Sequence, residues 1–318
     1  MSERSLNAVY SKRTMRRRYE VWFLRFLLAD GSGAWWFRYP LMNLGRAEGG
    51  CPGNSLGMPA QVWATWFPRD AKPLSFIQGF SKEQLALSGP GTALDLEIAG
   101  NRIAEDCCAG QLEVENHTVV WDLRYRSTAA FTLSDKGWIG FSRTPHSDAV
   151  FAGEIAFDGH RWRGDPLGYG VQEHNCGYWH RHFWTWAHCI VPDSSGGIST
   201  FEALEHEMPL GLRFRKALFW HEGKAYRFSR LKSIERSREP LRWTLHCSRR
   251  EDRATLVAIL DGSGTSTHRL PYLKTNCSGS FEVTNNSLSA ANLYFRRPGQ
   301  PVIELRTDGG VVLEMVGE

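Results

Sequence analysis

Apolar and polar residues alternate along most of this chain, and short turn sequences interrupt the alternation roughly every ten residues. The clearest example is the pair of segments 154–157 and 160–162, which flank the turn Asp158-Gly159. A period of two residues is that of a β-strand with one buried face. Helical periodicity is scarce, and only residues 81–87, with Ser81 as a candidate N-cap, suggest a helix. The pattern therefore predicts an all-β protein.

Two series of predicted strands follow one another along the chain. The first occupies residues 19–190 and the second residues 198–318, and a proline-, serine- and glycine-rich cluster at 191–197 separates them. Closing a long antiparallel sheet into a barrel removes its exposed edges. We therefore predict two tandem antiparallel β-barrel domains, preceded by a basic tail at residues 1–18.

The composition narrows the classes of partner. A length of 318 residues fits two domains or one large barrel, and 13 tryptophans are the unusual feature. Aromatic side chains bury large areas and, in β-proteins, often line cavities for apolar ligands. The net charge of +4 is too small to indicate a nucleic-acid partner. The basic run at residues 16–18 predicts a solvated tail, with peripheral contact to an anionic membrane surface as the alternative.

The seven cysteines match no disulfide framework and no CxxC metal pattern. This usage favours a reducing compartment, so we expect a cytoplasmic location. The apolar run at residues 21–29 contains Arg25 and lacks a small-residue cleavage site, which argues against a signal peptide. No stretch reaches the ~18 apolar residues that span a bilayer, so we expect no integral membrane segment. The sequence gives no indication of the oligomeric state.

The segment 168–189, GYGVQEHNCGYWHRHFWTWAHC, concentrates the candidate chemistry. Glu173 and His174 are adjacent groups that can move protons, and the tryptophans of this segment offer large π-faces that attract positive charge. The combination suits protonation of an apolar molecule and shielding of the resulting cation. The alternative is a strand edge in an aromatic-rich β-protein whose histidines only satisfy hydrogen bonds.

Strand parity divides these residues between two faces, because side chains alternate along an extended chain. Trp184, Trp186 and His188 then share one face of a strand. Glu173 and His174 take opposite faces of theirs, so only one of the two should point into a cavity unless a bulge re-aims the chain.

Other chemistries receive less support from the sequence. The same-face pair His180 and His182 is the candidate metal site, but its spacing departs from the cupin pattern, so we expect no metal. Cys176 or Cys189 as a nucleophile would lack a helix N-terminus to lower the thiol pKa. No helix follows Gly168-Tyr-Gly170, so we expect no nucleotide either. Catalysis should therefore need no cofactor.

Residues 168–177, followed by Phe-Trp-Thr-Trp at 183–186, resemble the signature of the carotenoid 1,2-hydratase (hydroxyneurosporene synthase) and tocopherol-cyclase-like superfamily. Lipocalin-like Diels–Alderases look related to the same group. Segments 19–25 and 35–39 also resemble the first hairpin of these proteins, whereas the C-terminal part matches only by strand pattern. The resemblance implies two tandem lipocalin-like barrels, an apolar substrate inside or between them, and no cofactor.

The resemblance also implies roles for individual residues. His174 would handle the proton and line the principal cavity with Trp184 and Trp186, and Glu173 would orient His174 or hold the barrels together. Cys176 stands where the family commonly has tryptophan, and a further acid is expected on the next strand. The candidate catalytic residues are therefore His174, Glu173 and Glu202, and the candidate substrate-binding residues are Trp36, Arg38, Tyr39, Asn175, Cys176, Trp179, Trp184 and Trp186.

We expect a cofactor-independent cyclase, isomerase, hydratase or pericyclase that acts on a hydrophobic polyene, terpenoid or polyketide-type substrate in natural-product biosynthesis. A non-catalytic carrier of lipids or other hydrophobic small molecules is the alternative, because lipocalin-like barrels are containers. The adjacent acid and histidine favour the enzyme.

Overall fold

The computed structural model describes residues 5–11, 15–46, 49–51, 56–136, 139–180, 183–192, 197–264 and 266–317. Within these ranges the chain forms two antiparallel β-sheets and two 3₁₀ turns, Lys82–Gln84 and Pro209–Gly211. The predicted all-β fold is confirmed. The helix expected after Ser81 is wrong beyond its first turn, because strand pairing takes over at Leu85.

The first sheet forms the N-terminal barrel. Its strands are β1 (Tyr19–Leu28), β2 (Gly33–Met42), β3 (Ala60–Pro68), β4 (Leu74–Phe80), β5 (Leu85–Leu87), β6 (Asp95–Ile98), β7 (Asn101–Ala104), β8 (Cys107–Val114), β9 (His117–Arg126), β10 (Phe131–Asp135), β11 (Gly140–Phe157) and β12 (His160–Gly177). They pair in the order β4-β3-β2-β1-β12-β11-β9-β8-β7-β6-β5, with β10 on β11. The sheet curls until β4 approaches β8, and aromatic side chains such as Trp22, Trp35 and Trp121 fill its interior.

The second sheet forms the C-terminal barrel. Its strands are β13 (Trp184–Pro192), β14 (Ile198–Glu207), β15 (Arg213–His221), β16 (Lys224–Phe228), β17 (Arg230–Arg238), β18 (Leu241–Ser248), β19 (Thr255–Asp261), β20 (Thr267–Leu273), β21 (Ser280–Arg296) and β22 (Ile303–Val316). They pair in the order β16-β15-β14-β13-β22-β21-β19-β18-β17, with β20 on β21. This sheet curls until β15 approaches β17, around a core that includes Trp243 and Phe219.

The change from one sheet to the other falls earlier in the chain than the proline-, serine- and glycine-rich cluster at 191–197 suggested. β13 pairs with β14 and β22, so residues 184–190 belong to the second sheet rather than to a barrel spanning 19–190. Hydrogen bonding along β13 decides this, since a strand follows its partners and not the nearest linker-like sequence. Residues 193–196 of the predicted linker lie outside the described residues.

The barrels pack face to face through their longest strands. β1, β2, β11 and β12 of the first barrel contact β22, β21, β14 and β13 of the second, respectively. The facing side chains form one apolar cluster, which includes Phe23, Trp36, Trp63, Trp186 and Tyr272. Alternation along β1 therefore serves two cores at once, because one face fills the first barrel and the other packs against the second.

Arg25 ties the two barrels together at one end of this interface. Its guanidinium donates to the backbone carbonyls of Ser287, Gly309 at 2.6 Å and Val311 at 3.3 Å. Complete burial lowers the pKa of Arg25 to about 9 and that of neighbouring His188 to about 3. The charge that interrupted the apolar run in the sequence is thus a contact between the barrels.

The N-terminal residues do not form the solvated tail expected for 1–18. Asn7, Ala8 and Val9 are buried, and Val9 belongs to the core of the first barrel. Trp22 Nε1 donates to the Asn7 carbonyl at 3.3 Å, and the Asn7 and Gln172 side chains exchange two hydrogen bonds. Hydrophobic burial and these hydrogen bonds fix residues 5–11 across the barrel; residues 1–4 and 12–14 lie outside the described residues.

A disulfide between Cys51 and Cys277 contradicts the expectation that the cysteines form none. It links the loop after β2 to the loop after β20, with Cα atoms 5.4 Å apart and a sequence separation of 226. Such a separation gives no spacing signal in a sequence. The cysteine pattern therefore no longer supports a reducing compartment. Among the described residues no helix has the length and apolar character needed to cross a bilayer.

Removing this disulfide should destabilise the protein. A cross-link that closes a loop of this length restricts the unfolded chain, and such bonds typically contribute about 2–4 kcal/mol. The double variant Cys51→Ser, Cys277→Ser should melt at a lower temperature than the oxidised wild type. Reductant should lower the wild-type melting temperature to that of the double variant and leave the double variant unchanged. Equal melting temperatures for oxidised wild type and double variant would contradict the bond.

Candidate active site between the barrels

β12 carries the two groups that the sequence singled out. Its pairing with β1 is continuous from Gly168 to Gly177, so no bulge re-aims either side chain. Glu173 pairs with Phe23 and faces the second barrel, whereas His174 pairs with Trp22 and faces the interior of the first. The opposite orientations follow from strand parity, as predicted.

His174 is enclosed within the first barrel, and both of its ring nitrogens form hydrogen bonds there. Nδ1 donates to the Leu6 carbonyl at 2.9 Å, Nε2 lies 2.8 Å from Glu20 Oε1, and the ring stacks on Trp22 at 4.6 Å. The Glu20 carboxylate also accepts the backbone N–H of Tyr10 at 2.8 Å. The histidine therefore clasps the N-terminal segment. It does not share a cavity with the tryptophans of β13, contrary to the expectation from the resemblance.

Glu173 and Glu202 meet between the barrels. Their carboxyl groups lie within hydrogen-bond reach of each other, and both are almost completely buried. Burial raises the pKa of Glu173 well above its ordinary value, and the charge of Glu202 raises it further. Asn175 Nδ2 donates to Glu173 Oε2 at 3.3 Å, while no donor faces Oε1. That arrangement fits a protonated Glu173 that shares its proton with Glu202.

Glu202 accepts more hydrogen bonds than Glu173 does. Thr144 Oγ1 lies 2.8 and 3.0 Å from its two oxygens, and Trp186 Nε1 donates to Oε1 at 3.2 Å. Burial raises the pKa of Glu202, but the hydrogen bonds from Glu173, Thr144 and Trp186 oppose this rise. The hydrogen bonds to Glu202 favour its ionised form more than those to Glu173 do, so Glu173 is the member of the pair whose environment favours the proton.

A second polar group lies further along the interface. Glu314 accepts hydrogen bonds from Trp184 Nε1 at 2.9 Å, Asn285 Nδ2 at 3.4 Å and the Tyr272 hydroxyl at 3.5 Å. Burial raises the pKa of Glu314, and the positive charge of Arg38 partly offsets this. Arg38 and Glu314 were not linked by any spacing in the sequence, because they lie on strands of different barrels.

Strand register places these groups in one row. Arg38 on β2 pairs with Phe23 on β1, and Phe23 pairs with Glu173 on β12. Neighbouring strands are about 4.8 Å apart, so the Arg38 and Glu173 backbones are separated by roughly 10 Å. Phe23 stands between Arg38 and Glu173 in this row, and its ring meets Trp186 edge-on at 5.6 Å. The acid pair is therefore flanked by aromatic faces.

A cleft opens next to this row, at the Arg38 end. Its lining residues are Tyr19, Val21, Arg38, Pro40, Leu41, Met42, Leu56, Gln61, Trp63, His180, Pro271, Tyr272 and Leu273. Its free volume of about 50 Å³ holds a few water molecules or one polar group, far below the ~300 Å³ of an ordinary ligand pocket. Entry of a whole substrate therefore requires side chains between the barrels to move.

The remaining predicted site residues do not converge on one site: they lie at the interface, in the first barrel or at the surface. Trp36 and Asn175 lie at the interface, with Trp36 beneath the Arg38 guanidinium and Asn175 on Glu173. Tyr39 is in the first-barrel core, where its hydroxyl accepts a hydrogen bond from Trp121, and Cys176 lies against Arg18. Trp179 is 52% exposed.

His180 packs against Tyr19 at 4.1 Å, and burial lowers its pKa to about 3. Its proposed metal-binding partner His182 lies outside the described residues. Within the part of the chain that the structure describes, no three histidine, cysteine or acidic side chains converge as metal ligands do. His180 is a neutral ring in the cleft wall.

Sequence reasoning missed Glu314, Tyr272 and Phe23. Phe23 was within reach, because its parity on β1 sets it apart from the core residues Trp22 and Leu24. The other two depend on how β20 and β22 meet the first barrel, which no local pattern encodes.

No family model and no curated protein sequence matches the chain. Solved structures of similar fold do exist. Kievitone hydratase from Nectria haematococca aligns over 99% of this chain and 94% of its own, with a TM-score of 0.57 and 13% identity. CghA aligns over 94% of this chain and 88% of its own, with a TM-score of 0.60 and 12% identity. An AttH-type protein from Nitrosomonas europaea covers 97% and 94%, with a TM-score of 0.53 and 12% identity. These similarities extend over nearly the whole of each chain and establish a shared fold.

The protonated state of Glu173 has a measurable effect on stability. A carboxyl whose folded pKa is raised keeps its proton when the unfolded chain has lost it, so the unfolding free energy falls as pH rises above about 4.3. Glu173→Gln removes this loss. The variant should gain stability relative to wild type with increasing pH, by about 1.4 kcal/mol for each unit of pKa elevation. Urea unfolding from pH 4 to 8 measures the difference, and the exposed Glu97→Gln is the control. A difference independent of pH would show that Glu173 is ionised.

His174→Ala should act on stability rather than on turnover. The change removes one of the hydrogen-bond partners of the buried Glu20 carboxyl group, which keeps those from the backbone of Tyr10 and Ser11, and a lost buried hydrogen bond of this kind costs about 1–3 kcal/mol. Denaturant unfolding should show that loss, and protease cleavage near residues 5–11 should accelerate. Below the melting temperature, ligand turnover per folded molecule should stay near wild type. A stable variant with abolished turnover would return His174 to the catalytic role.

Proposed function

We propose that this protein is a cofactor-independent enzyme of the hydratase or cyclase type, which protonates an apolar substrate between its two barrels. The observation that carries the proposal is the buried pair of Glu173 and Glu202, in which burial raises the pKa of both carboxyl groups and the charge of Glu202 raises that of Glu173 further. Similarity of fold to kievitone hydratase supports the same class. In place of His174, the sequence candidate, Glu173 is assigned the role of acid.

The chemistry follows from the arrangement. Glu173 gives its proton to a carbon–carbon double bond of the substrate, and positive charge develops on the adjacent carbon. Phe23, Trp36 and Trp186 offer aromatic faces for that charge, and the Glu202 carboxylate stabilises it electrostatically.

The donated proton returns to the pair when the cation is quenched. In a hydration, water adds to the cation and its proton goes to the carboxylates; in a cyclisation or isomerisation, a proton leaves the adjacent carbon instead. Two ionised carboxylates so close together are unfavourable, which makes the pair a strong proton acceptor at that stage. Over one cycle the enzyme is unchanged, and the product is either the hydrate or an isomer.

Glu173→Gln should lower turnover about 10²- to 10⁴-fold, because the amide cannot supply the proton. The matched control is Glu205→Gln, a buried glutamate inside the second barrel that pairs with Arg215 at 2.9 Å. The control should retain turnover. Loss of turnover in Glu205→Gln but not in Glu173→Gln would overturn the assignment of the acid.

Incubation with a panel of polyenes and prenylated phenols in D₂O identifies the reaction class. Proton transfer from Glu173 places one non-exchangeable deuterium in the product, and mass spectrometry also shows whether water was added. A product that carries no deuterium would indicate a pericyclic reaction. Compounds that bind tightly and are recovered unchanged would indicate a carrier of hydrophobic molecules, the alternative function, which the enclosed apolar interface also permits.

A further inference from the structure

Arg38 is a buried cation that forms no ion pair with a carboxylate among the described residues. Its residue is 6% exposed, and it is the one charged side chain among the described residues that line the cleft, since His180 is neutral. The rest of the lining is mainly apolar or aromatic. Burying a charge is costly unless it is paired, so such a position calls for an explanation.

Aromatic rings surround the faces of the Arg38 guanidinium. Its Cζ atom lies 4.9 Å from the ring centre of Trp36, 4.6 Å from that of Trp63 and 4.3 Å from that of Tyr272. These cation–π contacts compensate part of the lost hydration of the charge. They leave the in-plane N–H groups available, because a guanidinium donates from its edges rather than its faces.

Part of that donor edge is unused. Arg38 Nε is buried and has no hydrogen-bond partner, and no ion pair joins Arg38 to a carboxylate within the described residues. The Tyr272 hydroxyl lies within reach of the guanidinium. Glu314 acts on Arg38 through space, but its oxygens already accept hydrogen bonds from Trp184, Asn285 and Tyr272. Among the described residues the buried Nε therefore remains a donor without a partner, in a position to bind a ligand.

We propose that Arg38 is a specificity-determining residue that binds an anionic oxygen group, such as a carboxylate or enolate, at one end of an otherwise apolar substrate. The inference rests on the same inter-barrel site as the proposed function and names the class of molecule that the site accepts. The cleft's free volume of about 50 Å³ suits such a head group. Phe23, which stands between Arg38 and Glu173 in the strand row, separates the anchored end from the carbon that receives the proton.

Retinoic acid and retinol test this inference, because they share one apolar polyene and differ in having a carboxylate or a hydroxyl at the end. Binding is measured at equilibrium by quenching of tryptophan fluorescence and by calorimetry. A hydrogen bond to a charged group contributes enough to favour the acid over the alcohol about 10- to 100-fold in wild-type protein. Arg38→Gln should remove that preference while changing retinol affinity little.

Two further variants guard the interpretation. Arg38→Lys keeps the charge but loses the planar fork, and should show an intermediate preference. Arg306→Gln, an exposed arginine paired with Glu304, should behave as wild type. Equal affinity of the wild type for the two probes, binding of neither, or a preference that survives in Arg38→Gln would overturn the inference. The wild-type comparison stands even if Arg38→Gln fails to fold.

These measurements are independent of turnover. An acid preference that depends on Arg38, combined with failed deuterium incorporation, would leave a carrier of anionic amphiphiles. Deuterium incorporation without an acid preference would leave an enzyme for neutral substrates. The two proposals can therefore fail separately.

Discussion

The desolvation of carboxyl groups between two apolar barrel faces is the constraint on which this site depends. Glu173, Glu202 and Glu314 are buried in one interface, where Arg38 is the nearest compensating charge acting on Glu314. Three separate anions cannot be held at low cost in such surroundings. Sharing a proton within the acid pair reduces the charge without removing the polar groups. The shared proton that lowers the cost of burying the pair also makes Glu173 available as an acid at neutral pH.

The two barrels have different tasks with respect to this interface. The first barrel is closed by its own N-terminal segment, which Glu20 and His174 hold in place. The second presents Trp186 and Glu202 from neighbouring strands β13 and β14. Neither barrel interior contains the acid pair, so the chemistry belongs to the contact between domains. Relative movement of the domains would then open and close the site, which agrees with the small free volume of the cleft.

Local sequence patterns predicted much of the fold because strands reveal themselves by parity. The turn Asp158-Gly159 was located between two strands as observed, and the opposite orientations of Glu173 and His174 followed from alternation alone. Alternation could not show which of the two residues lies at the interface, because that depends on which face of β12 meets the second barrel. The glycines of the motif have a steric reason: a Cβ atom at Gly170 would lie 1.8 Å from the Arg25 carbonyl oxygen on β1.

The central claim is that one buried glutamate stays protonated at neutral pH, and infrared spectroscopy observes that proton directly. The difference spectrum between wild type and Glu173→Gln at pH 7 should contain the C=O stretch of a protonated carboxylic acid, shifted on transfer to D₂O. The corresponding Glu205→Gln difference spectrum is the matched control. A Glu173 difference spectrum with carboxylate bands alone would contradict the account, because an ionised Glu173 could not act as the acid.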